Sequence, residues 1–422
     1  MSSGTSRKDP IATAVVGMGG YAGRIIDLLL RTESDDDHPP RLVAVTSSNP
    51  TRHPEMASRL AAHGVEICPS LDVLLSREDV EVVWLPVPID LHLPFLDRSL
   101  TAGKAVLCEK PAAGSVDACN LMIASRDRHG LPVAIGYQSI YDPSTTTLKR
   151  RIAAGDLGPI SSATLRGVWP RDSTYYGRTD WSGRLKRNGE WVLDSPVQNG
   201  LNHFVNLTLF LLGPTAAESA VPVSVEAELY RANDIENYDT ASIKVVLDTG
   251  ATFLLLVTHA ALETVHPVIR LTGERGTATW RFDGDITLRD AWAGAEETIE
   301  PLDVEAQRAS MVSAFNRLAR GTPDPDRSVA TLEQARATLV AVNGASEAAP
   351  VHTVPASCIK VVEKDDGAAI RTIPGIEELF VQCAERGQML HESGGANWTV
   401  PARGKDLSGY DHFAGPWRAG DD

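Results

Sequence analysis

Disulfide chemistry has little to work with in this chain. Its five cysteines, Cys68, Cys108, Cys119, Cys358 and Cys383, form no CxxC pair and no dense framework across 422 residues. That scarcity points to a reducing compartment and away from a stapled fold or a zinc site, so no metal centre is expected. Basic charge is also short: the formal net charge is -15, which leaves no face suited to nucleic-acid backbones or anionic membrane surfaces. Long apolar runs are missing too. The most apolar segment, TFLLLVTHAA, is bounded by turn signals and falls short of the ~20 residues a spanning helix needs. The opening residues MSSGTSRKDP lack the apolar core of a leader. A cytoplasmic protein acting on a small molecule, without nucleic-acid or membrane partners, is the expectation.

The length suits two domains of ordinary size. Residues 11 to 137 alternate short Val/Ile/Leu-rich runs with helix-period segments: IATAVVGMG, YAGRIIDLLLRT, RLVAVTSS, PEMASRLAAHG, VEVVWLPVP and HLPFLDRSLTAG. That alternation predicts right-handed βαβ units on a parallel sheet, a first domain over 1–140. The acidic stretch at 33–37 reads as a solvated loop. Further on, runs such as VPVSVEAELY, TASIKVVLDTG and PVIRLTGERG alternate with period two and predict a large, mostly antiparallel open sheet covered by helices on one face, over 141–375. A last helix and a Gly- and Trp-containing arm occupy 376–422. The fold class is therefore α/β, with a dinucleotide-binding domain followed by an α/β domain.

Gly17-Met18-Gly19-Gly20-Tyr21-Ala22 fits G-x-G-x-x-[GA] between a strand and a helix. Gly17 permits the tight turn, Gly19 lets the backbone approach a pyrophosphate, and the helix start at Gly20, Tyr21 and Ala22 offers N–H groups to its charge. The strand RLVAV is followed by Thr46-Ser47-Ser48-Asn49 and Arg52 rather than by a carboxylate. Ser47, Ser48 and Arg52 can hold a ribose 2′-phosphate, so NADP is expected over NAD.

The strand AVLC ends on Glu109-Lys110-Pro111, where its C-terminal end should face the cofactor crevice. With GMGGYAG, VEVVWLPVPIDLH, AVLCEKPAA, YDPSTTTLKRRIAAGDLGPI and NHFVNLTLFLLG, the chain resembles the glucose-fructose oxidoreductase / inositol dehydrogenase (Gfo/Idh/MocA) family. The resemblance implies an N-terminal Rossmann domain and oxidation or reduction of a secondary hydroxyl of a sugar or cyclitol. It sets Pro86, Pro88, His92, Glu109 and Lys110 at the cofactor, Lys110 also at the reacting oxygen, His203 as proton acceptor, and position 199 as a further catalytic position. The chemistry itself wants a base near neutral pKa beside an ammonium that stabilises alkoxide. One departure stands out: family members commonly carry an aspartate four residues before this histidine, and here the position is Asn199. An amide cannot hold negative charge, which makes His203 less basic unless Asp194 or Asn202 compensates. Whether the Lys110-Pro111 bond is cis stays open.

The segment VWPRDSTYYGRTDWSGRLKRNGEW is aromatic and has no evident structure of its own. Flat apolar faces flanked by charge suit carbohydrate, which sets Trp169, Tyr175, Tyr176, Trp181 and Arg184 near a substrate, together with Asp194 and Asn202. A subunit contact or a hydrophobic plug is the alternative. The basic cluster Arg184, Lys186 and Arg187 reads as a solvated turn. A redox-neutral enzyme that cycles its cofactor to cleave a glycoside, and a cofactor-binding regulator without chemistry, remain open. The open sheet face and the arm point to a homo-oligomer, dimer or tetramer.

Overall fold

The computed structural model describes residues 9–31, 37–292 and 294–419. The opening eight residues, and all of the acidic stretch except Asp37, lie outside that range. The described chain divides into two compact units.

The first unit comprises residues up to Ala112, then Ala118–Thr146 and Leu302–Leu332. Strands β1 (Ile11–Val15), β2 (Pro40–Thr46), β3 (Glu66–Cys68), β4 (Val82–Leu85), β5 (Ala105–Cys108) and β6 (Val133–Ile135) form a parallel sheet in the order β3-β2-β1-β4-β5-β6. β1, β4, β5 and β6 are buried throughout, as expected for strands covered on both faces. Connecting helices are α1 (Tyr21–Arg31), α2 (Pro54–Ala62), α3 (Leu71–Leu75), α4 (His92–Thr101) and α5 (Val116–His129). The order turns back at β1, so the carboxyl ends of β1 and β4 flank the switch point where such sheets bind ligands.

After α6 (Pro143–Ala153), the later helix α9 (Val304–Ala319) returns to the first unit, whereas the sequence reading grouped it with the second. A buried carboxylate explains the return. Asp142 accepts bonds from Ser144 N at 2.9 Å, Leu302 N at 3.0 Å and Gln307 Nε2 at 3.0 Å, so its charge is satisfied only when that distant segment folds against it.

The second unit is built on β7 (Ile160–Val168), β10 (Pro222–Arg231), β11 (Thr240–Leu247), β12 (Thr252–Thr258), β13 (Val265–Gly273), β14 (Gly276–Arg281), β15 (Ile286–Asp290), β16 (Glu296–Ile299) and β17 (Val351–Thr353). Their order is β16-β15-β14-β13-β7-β12-β11-β10-β17, antiparallel apart from the β7–β12 and β10–β17 pairs. The aromatic segment does have structure of its own. Asp172 caps the short helix α7 (Ser173–Gly177) by accepting from Tyr175 N. The hairpin β8 (Lys186–Arg187) and β9 (Glu190–Trp191) turns on Asn188-Gly189, both at positive φ, the asparagine-glycine preference of tight hairpins.

Helix α8 (Asn202–Leu212) packs on β7 and β13 with every residue buried except His203. Each of its buried Leu and Phe side chains contributes roughly 1.5–3 kcal/mol. Helix α10 (Leu332–Ala348) takes the amide of Asn206 onto Gln334 O and Thr338 Oγ1. Strands β18 (Lys360–Glu363) and β19 (Ala369–Thr372) form a separate pair. Helix α11 (Ile376–Arg386) buries Ile376, Leu379, Phe380 and Cys383, a one-sided stripe that covers Val168, Leu254 and Leu256 of the sheet. The C-terminal arm closes on its own unit: β20 (Arg403–Asp406) pairs with β10, and Phe413 packs edge-on against Trp191 at 5.3 Å.

Candidate active site

In the first unit the glycine-rich turn is bonded to the end of β2, Gly17 N donating to Thr46 Oγ1 at 2.9 Å. Gly17 and Gly20 have φ of +106° and +56°, conformations open to glycine at little cost. A β-carbon at Gly19 would sit 2.3 Å from His53 Nε2, so only glycine leaves this cradle open. Gly17, Gly19, Ser47, Ser48, Arg52 and His53 line one cavity of about 290 Å³. Its size, main-chain donors and cationic end fit part of a dinucleotide. Ala22 packs on the turn beneath Gly17. Tyr21 is turned toward Arg308, whose guanidinium lies 5.7 Å from the ring, and burial pushes its hydroxyl pKa up.

Pro86 and Pro88 follow β4 half-buried. His92 is buried, with Nε2 2.8 Å from Val87 O and Nδ1 3.0 Å from Pro111 O, and thereby clasps the turn after β4 to the turn after β5. Burial pushes its pKa down, and the facing carbonyl oxygens of Val87, Ala112 and Pro111 oppose that shift. The Lys110-Pro111 bond is cis. Glu109 is buried and accepts from Trp84 Nε1 at 3.2 Å; burial raises its pKa while the Lys110 charge beside it lowers it. A β-carbon at Gly136 would press on the Glu109 carboxyl at 2.8 Å, so the buried acid depends on that glycine. Lys110, at the strand end, is half-buried.

In the second unit Ser195 caps a π turn (Pro196–Gly200) that leads into α8. Leu193 lies at φ +47°, rare for a branched side chain, directly before Asp194. Asp194 accepts from Gly183 N at 2.6 Å and from Asn199 Nδ2 at 2.7 Å. A carboxylate thus does stand beside position 199, supplied from five residues upstream. Asn199 also reaches Tyr175 Oη at 3.4 Å, and Tyr175 meets Tyr176 edge-on. Trp169 packs on Phe204, the residue after His203, with ring centroids 5.6 Å apart. Trp181 is half-buried. Two residues point elsewhere: Arg184 is paired with Glu236 at 2.7 Å, and Asn202 donates into the π turn at Val197 O.

Sequence reasoning missed His53, Arg171, Arg178 and His259. Arg171 and Arg178 lie 4.6 and 3.8 Å from the Tyr175 ring centroid. His259 is buried at the end of β12, and its Nδ1–H donates to Trp169 O at 2.7 Å. Burial first, then the Arg171 charge, push its pKa from 6.5 down to about 3. A lowered folded-state value means a contribution fully present above 6.5 that is lost as pH falls toward about 3. The denaturant midpoint of the protein should therefore fall over that window, and the gap between wild type and His259→Gln should narrow with it.

Residues 11–137 match the oxidoreductase family with an NAD-binding Rossmann fold, GFO_IDH_MocA, and residues 145–279 match the GFO/IDH/MocA C-terminal domain. A dTDP-3,4-didehydro-2,6-dideoxy-alpha-D-glucose 3-reductase of Streptomyces violaceoruber is 32% identical over 72% of this chain and 85% of that protein. An inositol 2-dehydrogenase of Rhizobium meliloti is 26% identical over 56% of this chain and 66% of its own length. Among solved structures, an oxidoreductase domain protein from Kribbella flavida matches with a TM-score of 0.65 at 17% identity, over 80% of this chain and 96% of that one. The WlbA dehydrogenase of Bordetella pertussis, solved with NADH and UDP-GlcNAcA, gives 0.63 at 22% identity, over 79% and 95%. With both family models matched over more than half of the chain and a relative 32% identical over 72% of it, the chain belongs to the Gfo/Idh/MocA family of oxidoreductases.

Proposed function

We propose that this chain is an NADP-dependent dehydrogenase acting on a secondary hydroxyl of a sugar or cyclitol, with His203 as base and Lys110 as partner of the developing alkoxide. The observation that carries the reading is α8, where His203 alone escapes burial, one turn after Asn199 and its bonded carboxylate Asp194. A helix buried so fully has no structural need of an imidazole that stays half-open, and a base must be reachable by substrate. The sugar reductase and inositol dehydrogenase among the relatives support the substrate class.

A bound nicotinamide supplies the hydride acceptor or donor. Gly17, Gly19, Gly20 and the start of α1 would hold its pyrophosphate, and Ser47, Ser48 and Arg52 its ribose 2′ group. His203 takes the hydroxyl proton as the carbon loses hydride, and Lys110 lowers the cost of negative charge on that oxygen. Asp194, through Asn199, orients the substrate side of the base. The test is a screen of sugars, glycosides and inositols with both cofactors, followed by NAD(P)H absorbance; no turnover of any secondary alcohol would refute it.

Arg52 carries no ion pair among the described residues and lines the cavity beside Ser47 and Ser48. Arg52→Ala should weaken NADPH binding by about tenfold or more, with NADH affinity little changed. Equal affinity of the wild type for the two cofactors contradicts the preference. That none of the five cysteines is in a disulfide supports a cytoplasmic setting. We also propose a homo-oligomer, joined through the part of the sheet that α11 leaves uncovered. The groove along its edge is lined by Arg166, Lys244 and Arg270 of the sheet and by Glu385 and Arg386 of α11, and a two-fold contact sets mostly like charges against each other, so association should strengthen with salt. Sedimentation showing a monomer at low and high salt refutes this.

A further inference from the structure

The aromatic segment of the second unit holds two kinds of cation. Arg184 is paired with Glu236 at 2.7 Å, Arg187 with Asp180 at 3.0 Å, and Lys364 with Asp172 at 2.6 Å. Those carboxylates are therefore taken. Asp194 is engaged as well, by Gly183 N and Asn199 Nδ2. Arg171 and Arg178 form no ion pair with any carboxylate among the described residues.

Both guanidinium groups are nonetheless gathered on one ring, 4.6 and 3.8 Å from the Tyr175 centroid. Arg171 Nε is buried without a hydrogen-bond partner. Its Nη2 would lie 3.7 Å from a β-carbon at Gly200, which puts this cation beside the turn that carries Asn199. Tyr175 Oη is itself 3.4 Å from Asn199 Nδ2. The combined positive field is felt at His259, where both arginines oppose protonation. Two like charges drawn together over one ring repel each other, and an arriving anion relieves that repulsion. Planar guanidinium groups suit the paired oxygens of a carboxylate or phosphate. The cations that a sequence reader notices first, Arg184 and Arg187, are the neutralised ones.

Resting on the dehydrogenase reading above, we propose that Arg171 and Arg178 bind an oxyanion group on the substrate, so that the preferred sugar is a charged one. A sugar acid, a sugar phosphate and a nucleoside diphosphate sugar share that chemistry. Neutral hexoses and inositols lack it.

The experiment measures kcat/KM and, by calorimetry, affinity for glucuronate, glucose 6-phosphate and dTDP-glucose against glucose and myo-inositol, with the cofactor present. At least one charged sugar should exceed the neutral ones by about tenfold to a hundredfold. Arg171→Met and Arg178→Met should each remove most of that advantage through KM, with glucose kinetics and NADPH affinity unchanged, and Arg178→Lys should restore part of it. Arg178 is exposed, so its variants keep the fold even where Arg171→Met does not. Which of the three charged sugars wins identifies the source of the oxyanion. Neutral sugars equal to or better than all charged ones, or variants that lose neutral and charged sugars alike, overturn the proposal, as does failure of every charged sugar to bind. If a charged sugar binds wild type but not the variants, and no sugar is turned over, the oxyanion site stands and the dehydrogenase reading falls.

Discussion

Lys110→Ala should lower kcat by about 10²–10³-fold, the usual cost of removing one donor aimed at developing oxyanion charge, while the dissociation constant for NADPH changes little. The asymmetry follows from where the charge appears. An alkoxide has almost no existence in the ground state, so an ammonium that stabilises it acts on the transition state and leaves cofactor affinity alone. The loss should not be recovered by raising pH. Glu109, buried beside Lys110, has its pKa raised by burial and lowered by the lysine charge; without that cation the acid holds its proton to still higher pH. Lys110→Arg keeps the charge for Glu109 but cannot reproduce the compact ammonium at the oxygen, so it should keep the fold and lose rate. Steady-state kinetics with a cofactor titration decides the matter, and retained turnover in the alanine variant removes Lys110 from the chemistry.

Gly114→Ala is the second large effect, and it acts on stability. A β-carbon there would lie 1.7 Å from Trp191 O and 2.4 Å from Trp191 C. Both are main-chain atoms, so no side chain can swing aside. The segment is held from the other side as well: Asn343 Nδ2 donates to Gly114 O at 3.2 Å, and Val116 N donates to Asn343 Oδ1 at 2.8 Å. Trp191 is pinned in turn by Phe413. Overpacking against fixed backbone costs about 3 kcal/mol, which lowers the melting temperature by roughly 10 °C for a unit of this size. Turnover should fall too, since the displaced chain leads directly into Lys110 and a shift of about 1 Å can cost ~10²-fold. Scanning calorimetry is the check, and an unchanged transition contradicts the packing described.

What the sequence exposed and what it hid follow from how far apart the partners lie. Gly17 and Gly19 declare themselves because the turn, the strand before it and the helix after it are contiguous. The parallel sheet was legible for the same reason, strand and helix alternating within short stretches. α9 reads as a helix, but its place in the first unit depends on the Asp142 carboxylate far upstream. Arg184 and Arg178 are the same residue type in the same segment. Only the arrival of Glu236 from another part of the chain makes one neutralised and leaves the other a candidate ligand. Asn199 seemed to lack its carboxylate until the turn at Leu193 brought Asp194 alongside. The Asn188-Gly189 hairpin, by contrast, carried a local signal that a reading focused on aromatic content passed over.

The most direct test of the proposed chemistry is a single-turnover transfer of label from a sugar or cyclitol deuterated at its secondary carbinol carbons to the oxidised nicotinamide, run side by side for wild type, Lys110→Ala and His203→Ala. The proposed roles predict label in the reduced nicotinamide of wild type, and slowing of about 10²–10⁴-fold when the base is removed, with cofactor still bound in both variants. Absence of label with every substrate offered to wild type, or transfer at the wild-type rate in both variants, would contradict them.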